Sequence, residues 1–431
     1  MKKILCILLI NFTCNASFCQ SLSLQEAINI ALQKNLDLQL LKNNVQIGRI
    51  NNNIGVAGGL PVITAAASDV EQSTNVNQQL NSGTIIKRNG ASGNAYSSNV
   101  TTGMLLYNGA RVVATKHRLE QLEAQSEQYL NSQIQNTMSS VMVSYYDIVR
   151  QQSYIKTIDT SIAVAQTQLN IVKIQQNVGM ANNADLFQSQ INLNTLVQQK
   201  QAQQLIIEQA KTGLLLLLNL KPDSVVNIVD TIAVDNSLVL GDILNNLNRN
   251  ADIIAAENQV NINKYIVKET AARRYPSIEG SAGYNFNRSQ ASAGNILLNQ
   301  SNGPFAGVTI GIPIYNGSAY KRAQKVAEIN VQNADLQKDI LTRNYTAHAV
   351  QTYQAYISSL QQVDSQRINV DIAQKLIDLE LQRFQLHAVT IVELIQAQQS
   401  YQNAAYTLTN LTYAAKSSEI ELKRLINQLT F

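Results

Sequence analysis

One spacing governs the whole chain. Leu106-Tyr107-Asn108-Gly109 returns as Ile314-Tyr315-Asn316-Gly317, and Asp185-Leu186-Phe187-Gln188-Ser189-Gln190 returns as Glu393-Leu394-Ile395-Gln396-Ala397-Gln398, both 208 positions later. Leu60-Pro61 returns as Tyr275-Pro276 after 215 positions, so the copies differ by seven residues between that proline and the Tyr-Asn-Gly. Two elements at one offset and a third displaced by a single length change are the mark of a tandem duplication. Such a chain builds the same plan twice.

Proline and glycine punctuate that plan. The prolines are Pro61, Pro222, Pro276, Pro304 and Pro313, so 62–221 and 314–431 contain none; Gly179 is the one glycine between 110 and 212, and none follows Gly317. These intervals read as long helices with few breaks. Apolar residues step by three and four along them, at Val141, Tyr145, Ile148 and Ile155 and again at Ala349, Tyr353, Tyr356, Leu360 and Val363, which is a heptad seam. A helix from Ala110 to Asn177 would run about 100 Å at 1.5 Å per residue. No globular core needs that length.

Between the leading and long helices the period changes to two. Val308, Ile310, Ile312 and Ile314 alternate with Thr309, Gly311 and Pro313, matched by Val100, Thr102, Met104 and Leu106. Opposing strands start at Val62 and Ser277, and the Asn-, Ser-, Gly- and Gln-rich segments 72–97 and 288–303 read as solvated loops. Residues 20–220 form the first repeat, with strands near 61–71 and 98–107, a long helix over 110–178 and a return helix over 184–219. After a linker at 221–238, residues 239–431 form the second, with strands near 276–287 and 305–315 and helices over 318–386 and 390–429. The helical spacing of Leu422, Leu425, Ile426 and Leu429 makes Phe431 a helix end.

Lys2 and Lys3, then the apolar run Ile4–Ile10, read as an export signal over 1–19, a lipid anchor at Cys19 being disfavoured by the preceding Phe18. Cys6, Cys14 and Cys19 all lie there, leaving no thiol for a disulfide or a nucleophile. Beyond the signal no apolar stretch reaches the roughly 18 residues of a spanning helix, so passage through a membrane would use strands. Without Lys2 and Lys3 the 33 Lys and Arg become 31 against 29 Asp and Glu, which excludes a nucleic-acid footprint. His117, His348 and His387 stand singly and predict no metal site, and no phosphate loop, nucleophile elbow or zinc helix occurs, so neither an enzyme nor a cofactor is expected.

Four strands cannot close a barrel, and open edges in hydrocarbon would strand backbone donors. Strands that enter a membrane must then be shared between subunits, about eight being the smallest closed number. A dimer or a trimer satisfies this.

The duplicated plan, Pro61 and Pro276 at the strand starts, Tyr107/Gly109 and Tyr315/Gly317 at the strand-to-helix junctions, and an acid after each helical turn resemble the TolC-like outer-membrane efflux proteins. The resemblance implies a mainly α fold with a small β part. It implies that two tandem repeats form, as a homotrimer, a twelve-strand outer-membrane β-barrel continued by a periplasmic α-helical barrel. It also implies a passive exit duct of a tripartite efflux or type I secretion system, with a periplasmic adaptor, an inner-membrane transporter and outer-membrane lipid as partners. The resemblance places the pore constriction at Glu393 with Gln396 and Asp185, and adaptor docking at the turns holding Gly179, Asn182, Asn183, His387 and Thr390. Gln396 stands where the family's best-known pattern has a second acid, and His387 where it usually has glycine.

Other readings compete at each place. Glu393 and Asp185 also suit the first turn of a helix, Gly179 a helix C-cap, and Tyr107 and Tyr315 a membrane interface. For the whole chain the alternative is a periplasmic adaptor or a fibrous surface protein built on coiled coils.

Overall fold

A computed structural model describes residues 22–429, so the signal, Cys19 and Phe431 lie outside the described residues. The described residues divide into two compact units, one of 22–39, 132–250 and 344–429 and the other of 40–131 and 251–343.

In order, the elements are α1 (Leu24–Lys34), α2 (Leu36–Asn51), β1 (Val62–Gln79), β2 (Ile85–Tyr107), α3 (Arg111–Asn177) and α4 (Asn183–Leu217). The second repeat gives α5 (Leu240–Asn246), a 3₁₀ turn, α6 (Ala251–Ala272), β3 (Ser277–Ala291), β4 (Leu298–Gly311), α7 (Ala319–Gln385) and α8 (Ile391–Leu425). The long helices have 67 residues in both repeats and the return helices 35. The seven-residue difference therefore resides in the first hairpin, whose strands are the longer pair.

In the first unit the seam is the core. Val141, Tyr145 and Ile148 of α3 are buried with Ala27, Ile28 and Ala31 of α1 and with Leu214 and Ile420. The second repeat copies this, Ala349 and Tyr356 of α7 lying against Ile243 and Leu247 and against Leu422 and Leu425. Ile28 and Ile243 are 215 positions apart, and Leu214 and Leu422 are 208 apart. The duplication thus extends to individual buried side chains.

In the second unit the four strands form one antiparallel sheet in the order β1-β2-β3-β4. Here the expected loops are corrected. Most of 72–97 and part of 288–303 are strand, with the β1–β2 turn only at 80–84. Polar side chains satisfy one another across the ladder, Thr64 with Thr101 and Ser68 with Ser97 both at 2.9 Å, so polarity does not break the strands. The expected strand 305–315 is also shifted: β4 begins at Leu298 and ends at Gly311, before Pro313, which has no N–H to donate to a ladder.

Candidate functional site

The register sorts the sheet into two chemically different faces. Residues in register share a face. Ile63, Ala65 and Ala67 of β1 therefore stand with Val100, Thr102 and Met104 of β2, with Ile278, Tyr284 and Phe286 of β3, and with Ala306, Val308 and Ile310 of β4. The other face carries Thr64 and Ser68, Ser97, Asn99 and Thr101, Ser281, Asn285 and Asn287, and Ser301 and Thr309. Most of these apolar side chains and half of these polar ones are exposed, and none of them is buried. Along β3 the apolar face runs from Ile278 to Phe286 and gives way to Arg288. Nine residues fit the 9–11 that a tilted strand needs to cross hydrocarbon. Tyr96 packs edge-on against Phe286, ring centres 5.8 Å apart, at the upper margin of this band, where amphipathic rings belong.

The strand-to-helix junctions form the lower margin. Pro61 precedes Val62 and Pro276 precedes Ser277, each closing the approach to a strand. A bulge at Leu106 pairs Tyr107 with Ile278, turning the tyrosine ring toward the apolar face. Gly109 and Ala110 then adopt φ of +68° and +65°, and Gly317 and Ser318 repeat this at +65° and +62°. Tyr315 is 83 % exposed, so the second junction leaves its ring uncovered.

The helix-to-helix turns are built in the same way twice. After α3, Gly179 (φ +74°) donates its N–H to Gln176 and Met180 donates to Gln175, at 3.0 and 2.7 Å. After α7, His387 (φ +58°) donates to Phe384 and Ala388 to Arg383, at 3.2 and 2.9 Å. Both are Schellman closures, one with histidine at the left-handed position. Glycine would occupy that position without the Cβ penalty. His387→Gly should therefore raise stability by about 0.5–1 kcal/mol, checked by denaturant midpoint; a lower midpoint would deny the strain.

Each return helix starts with a reciprocal cap. Asp185 N–H donates to Asn182 Oδ1 at 2.9 Å, and Asn182 N–H to Asp185 Oδ2 at 3.4 Å. Glu393 N–H donates to Thr390 Oγ1 at 3.3 Å, while Glu393 Oε2 accepts the Thr390 N–H at 2.7 Å and its hydroxyl at 3.0 Å. Those bonds, the backbone one first, hold the Glu393 carboxyl below the usual range. Asn183 accepts from Gln176 at 2.6 Å. The turns share a small core of buried Val172, Phe384, Ile391 and Leu394, against which Leu186 packs. Glu393 and Gln396 are exposed one helical step apart, while Asp185 is half-buried.

Sequence reasoning missed two clusters. Buried Gln398 donates to the Ser161 carbonyl at 2.8 Å and accepts from Asn192 at 3.1 Å; its repeat as Gln190 was the available signal. Lys416, Glu419 and Lys423 on α8 join Asp235 of the linker, a partner that no spacing reveals. Among the described residues no helix is long and apolar enough to cross a membrane, and no group of three His, Cys, Asp or Glu could hold a metal ion.

Comparison with known proteins follows the same lines. The model of the outer membrane efflux protein family matches residues 27–220 and 243–428. Among solved structures, CusC, described as forming a transmembrane channel, superposes with a TM-score of 0.80 at 20 % identity, over 95 % of this chain and 93 % of that one. VceC of Vibrio cholerae gives 0.77 at 18 %, over 94 % and 96 %, and the CmeC outer membrane channel of Campylobacter jejuni gives 0.79 at 16 %, over 95 % and 87 %. At such identities the likeness concerns the fold. No curated protein matches in sequence.

Proposed function

This chain belongs to the outer membrane efflux protein family, and from that premise we propose that three copies close a twelve-strand barrel and work as the exit duct of a tripartite pump. It is an outer-membrane efflux channel extending into the periplasm, in a family of channels and not of enzymes. The observation that carries the proposal is the sheet: an apolar face nine residues tall that no helix covers, and open edges at β1 and β4. Hydrocarbon suits that face, and β1 of one copy paired with β4 of the next satisfies the edges. The polar face then lines a watery lumen. An adaptor or a fibre gives this face no role. An inner-membrane transporter and a periplasmic adaptor complete the pump, and outer-membrane lipid surrounds the barrel.

The turns supply the constriction and the docking tip. Glu393 and Gln396, with Asp185 nearby, face the pore, and Gly179, Asn182, Asn183, His387 and Thr390 present the surface that the adaptor grips. Capping and pore duty are compatible for Glu393, because a carboxylate that caps its own helix keeps its charge. Glu393→Gln separates them, since glutamine still serves as the reciprocal cap acceptor. In planar-bilayer recordings the purified oligomer should give discrete channels, and the variant should lose about half or more of the block by hexaamminecobalt(III) through the loss of Coulomb attraction. Unchanged block would remove Glu393 from the pore; a soluble, non-conducting monomer would remove the duct.

A further inference from the structure

A cavity of about 620 Å³ lies at the strand-to-helix junction of the β-sheet unit. Leu105, Ser277 and Gly311 line it, and these belong to the polar face: Ser277 is in register with Gly311, and Leu105 with Glu279, two residues along β3 from Ser277. In the closed barrel proposed above this face is the lumen wall, so the cavity opens toward the duct and not toward lipid. The inference rests on that reading.

The polar groups around the cavity are mainly donors. Arg111 and Arg273 line it, and no carboxylate does. Both arginines are exposed, and neither has an ion-pair partner among the described residues. Asn108 adds a third donor whose orientation is fixed. Its Oδ1 accepts the Val112 N–H at 3.3 Å, which commits the oxygen to α3 and leaves the Nδ2 group, buried and without a hydrogen-bond partner, beside the cavity. Two guanidinium forks and an unsatisfied amide N–H match a planar or tetrahedral oxyanion, which accepts at several oxygens at once. Tyr275 and Tyr320 supply ring surface on the same wall.

We infer that Asn108, Arg111 and Arg273 form an oxyanion-binding site in the wall of the duct, one per protomer, that takes the carboxylate or phosphate group of a passing anionic cargo. Three copies place six guanidinium groups around the lumen at one level. The site slows such a group without holding it, because the arginines remain water-exposed and screened.

The test uses the full-length oligomer in a planar bilayer, with inorganic phosphate and, separately, phenylphosphate as probes. Wild-type channels should show concentration-dependent current reduction by phosphate, and their reversal potential in a KCl gradient is the reference for the variants. Arg111→Gln with Arg273→Gln should weaken the phosphate effect roughly tenfold, the equivalent of one charge-assisted hydrogen bond, and move the reversal potential toward potassium. Arg111→Lys with Arg273→Lys should keep the selectivity and lose part of the phosphate effect, since lysine retains the charge without the fork. A stronger effect of phenylphosphate than of phosphate would assign the site to group-bearing cargo, and equal effects to the anion alone. Channels that conduct normally but ignore phosphate, with selectivity indifferent to both double variants, would overturn the site and leave the duct standing. A preparation without channels would overturn the duct and the site together.

Discussion

Replacing Glu419 by alanine is expected to cost about 3–5 kcal/mol, the usual penalty for stripping one partner from a buried ion pair. Glu419 is 2 % exposed. Its carboxylate meets Lys416 Nζ at 3.0 Å and Lys423 Nζ at 2.9 Å, and it accepts the Asp235 N–H at 2.9 Å. Lys416, itself buried, lies 5.3 Å from the centre of the Tyr146 ring and has no second carboxylate partner among the described residues. Alanine leaves that ammonium uncompensated and frees the linker at Asp235. The measurement is the temperature at which the purified oligomer dissociates in detergent, for Glu419→Ala, Lys416→Met and the double variant. Removing both charges should cost less than removing Glu419 alone, because no lone buried charge remains. A single variant that melts like the wild type would show that water reaches this carboxylate.

The same cluster sets a pH window. Hydrogen bonds from Ser237 and Lys423, the Ser237 hydroxyl first, hold Asp235 well below the usual carboxylate range. Its contribution is therefore present above about pH 4 and is lost as pH falls through the depressed value. Asp235 is partly exposed, so solvent screening keeps this contribution small. Burial pulls Lys423 down, but bonds to Glu419 and Asp235 outweigh it and hold the ammonium above its ordinary value. That contribution persists up to about pH 10 and is lost as pH rises through the raised value. Between these limits the contributions of Asp235 and Lys423 should be indifferent to pH.

The second large effect is expected at Gly109, where alanine should cost about 3 kcal/mol, combining left-handed strain with overpacking. Its φ is +68°, and an added Cβ would lie 2.7 Å from the Ala272 carbonyl oxygen and 2.8 Å from Tyr275 Cβ. Backbone at that distance cannot rotate away. Gly317, its equivalent in the second repeat, has φ +65° with nothing within 4 Å of the same added atom. Gly317→Ala should therefore cost only about 1 kcal/mol, the conformational part alone. Dissociation temperatures of the two variants decide this. A Gly109→Ala channel as stable as the Gly317→Ala channel would mean that α6 does not press on this turn.

Much of the fold was legible because its signals are local and repeated. Pro61, Pro276, the Tyr-Asn-Gly pairs and the two long proline-free intervals mark element borders, each acting through the chemistry of a few adjacent residues. The seam residues Val141, Tyr145, Ile148, Ala349 and Tyr356 are buried because helical periodicity alone puts them on one side. The outer parts of the strands were not legible. Asn77, Gln78 and Gln79 look like loop residues, and only pairing with a neighbouring strand makes extended backbone their better state. At the turn after α7, His387 stands 208 positions after Gly179, and that offset was the signal for φ > 0; the Schellman hydrogen bonds impose it on histidine.

What the sequence determined by itself was the plan: two copies of the same order of elements, the lengths of their helices, and strands too few to close alone. These follow from periodicity and punctuation, which act over a few residues. Tertiary structure alone decided which residues meet. It set the register that separates an apolar from a polar sheet face, turned Tyr107 onto the apolar side through one bulge, brought Asp235 to Lys423, and gathered Asn108, Arg111 and Arg273 around one cavity. Such meetings depend on contacts between residues up to 188 positions apart. Spacing along a chain records periodicity, but it does not record the partner on another element.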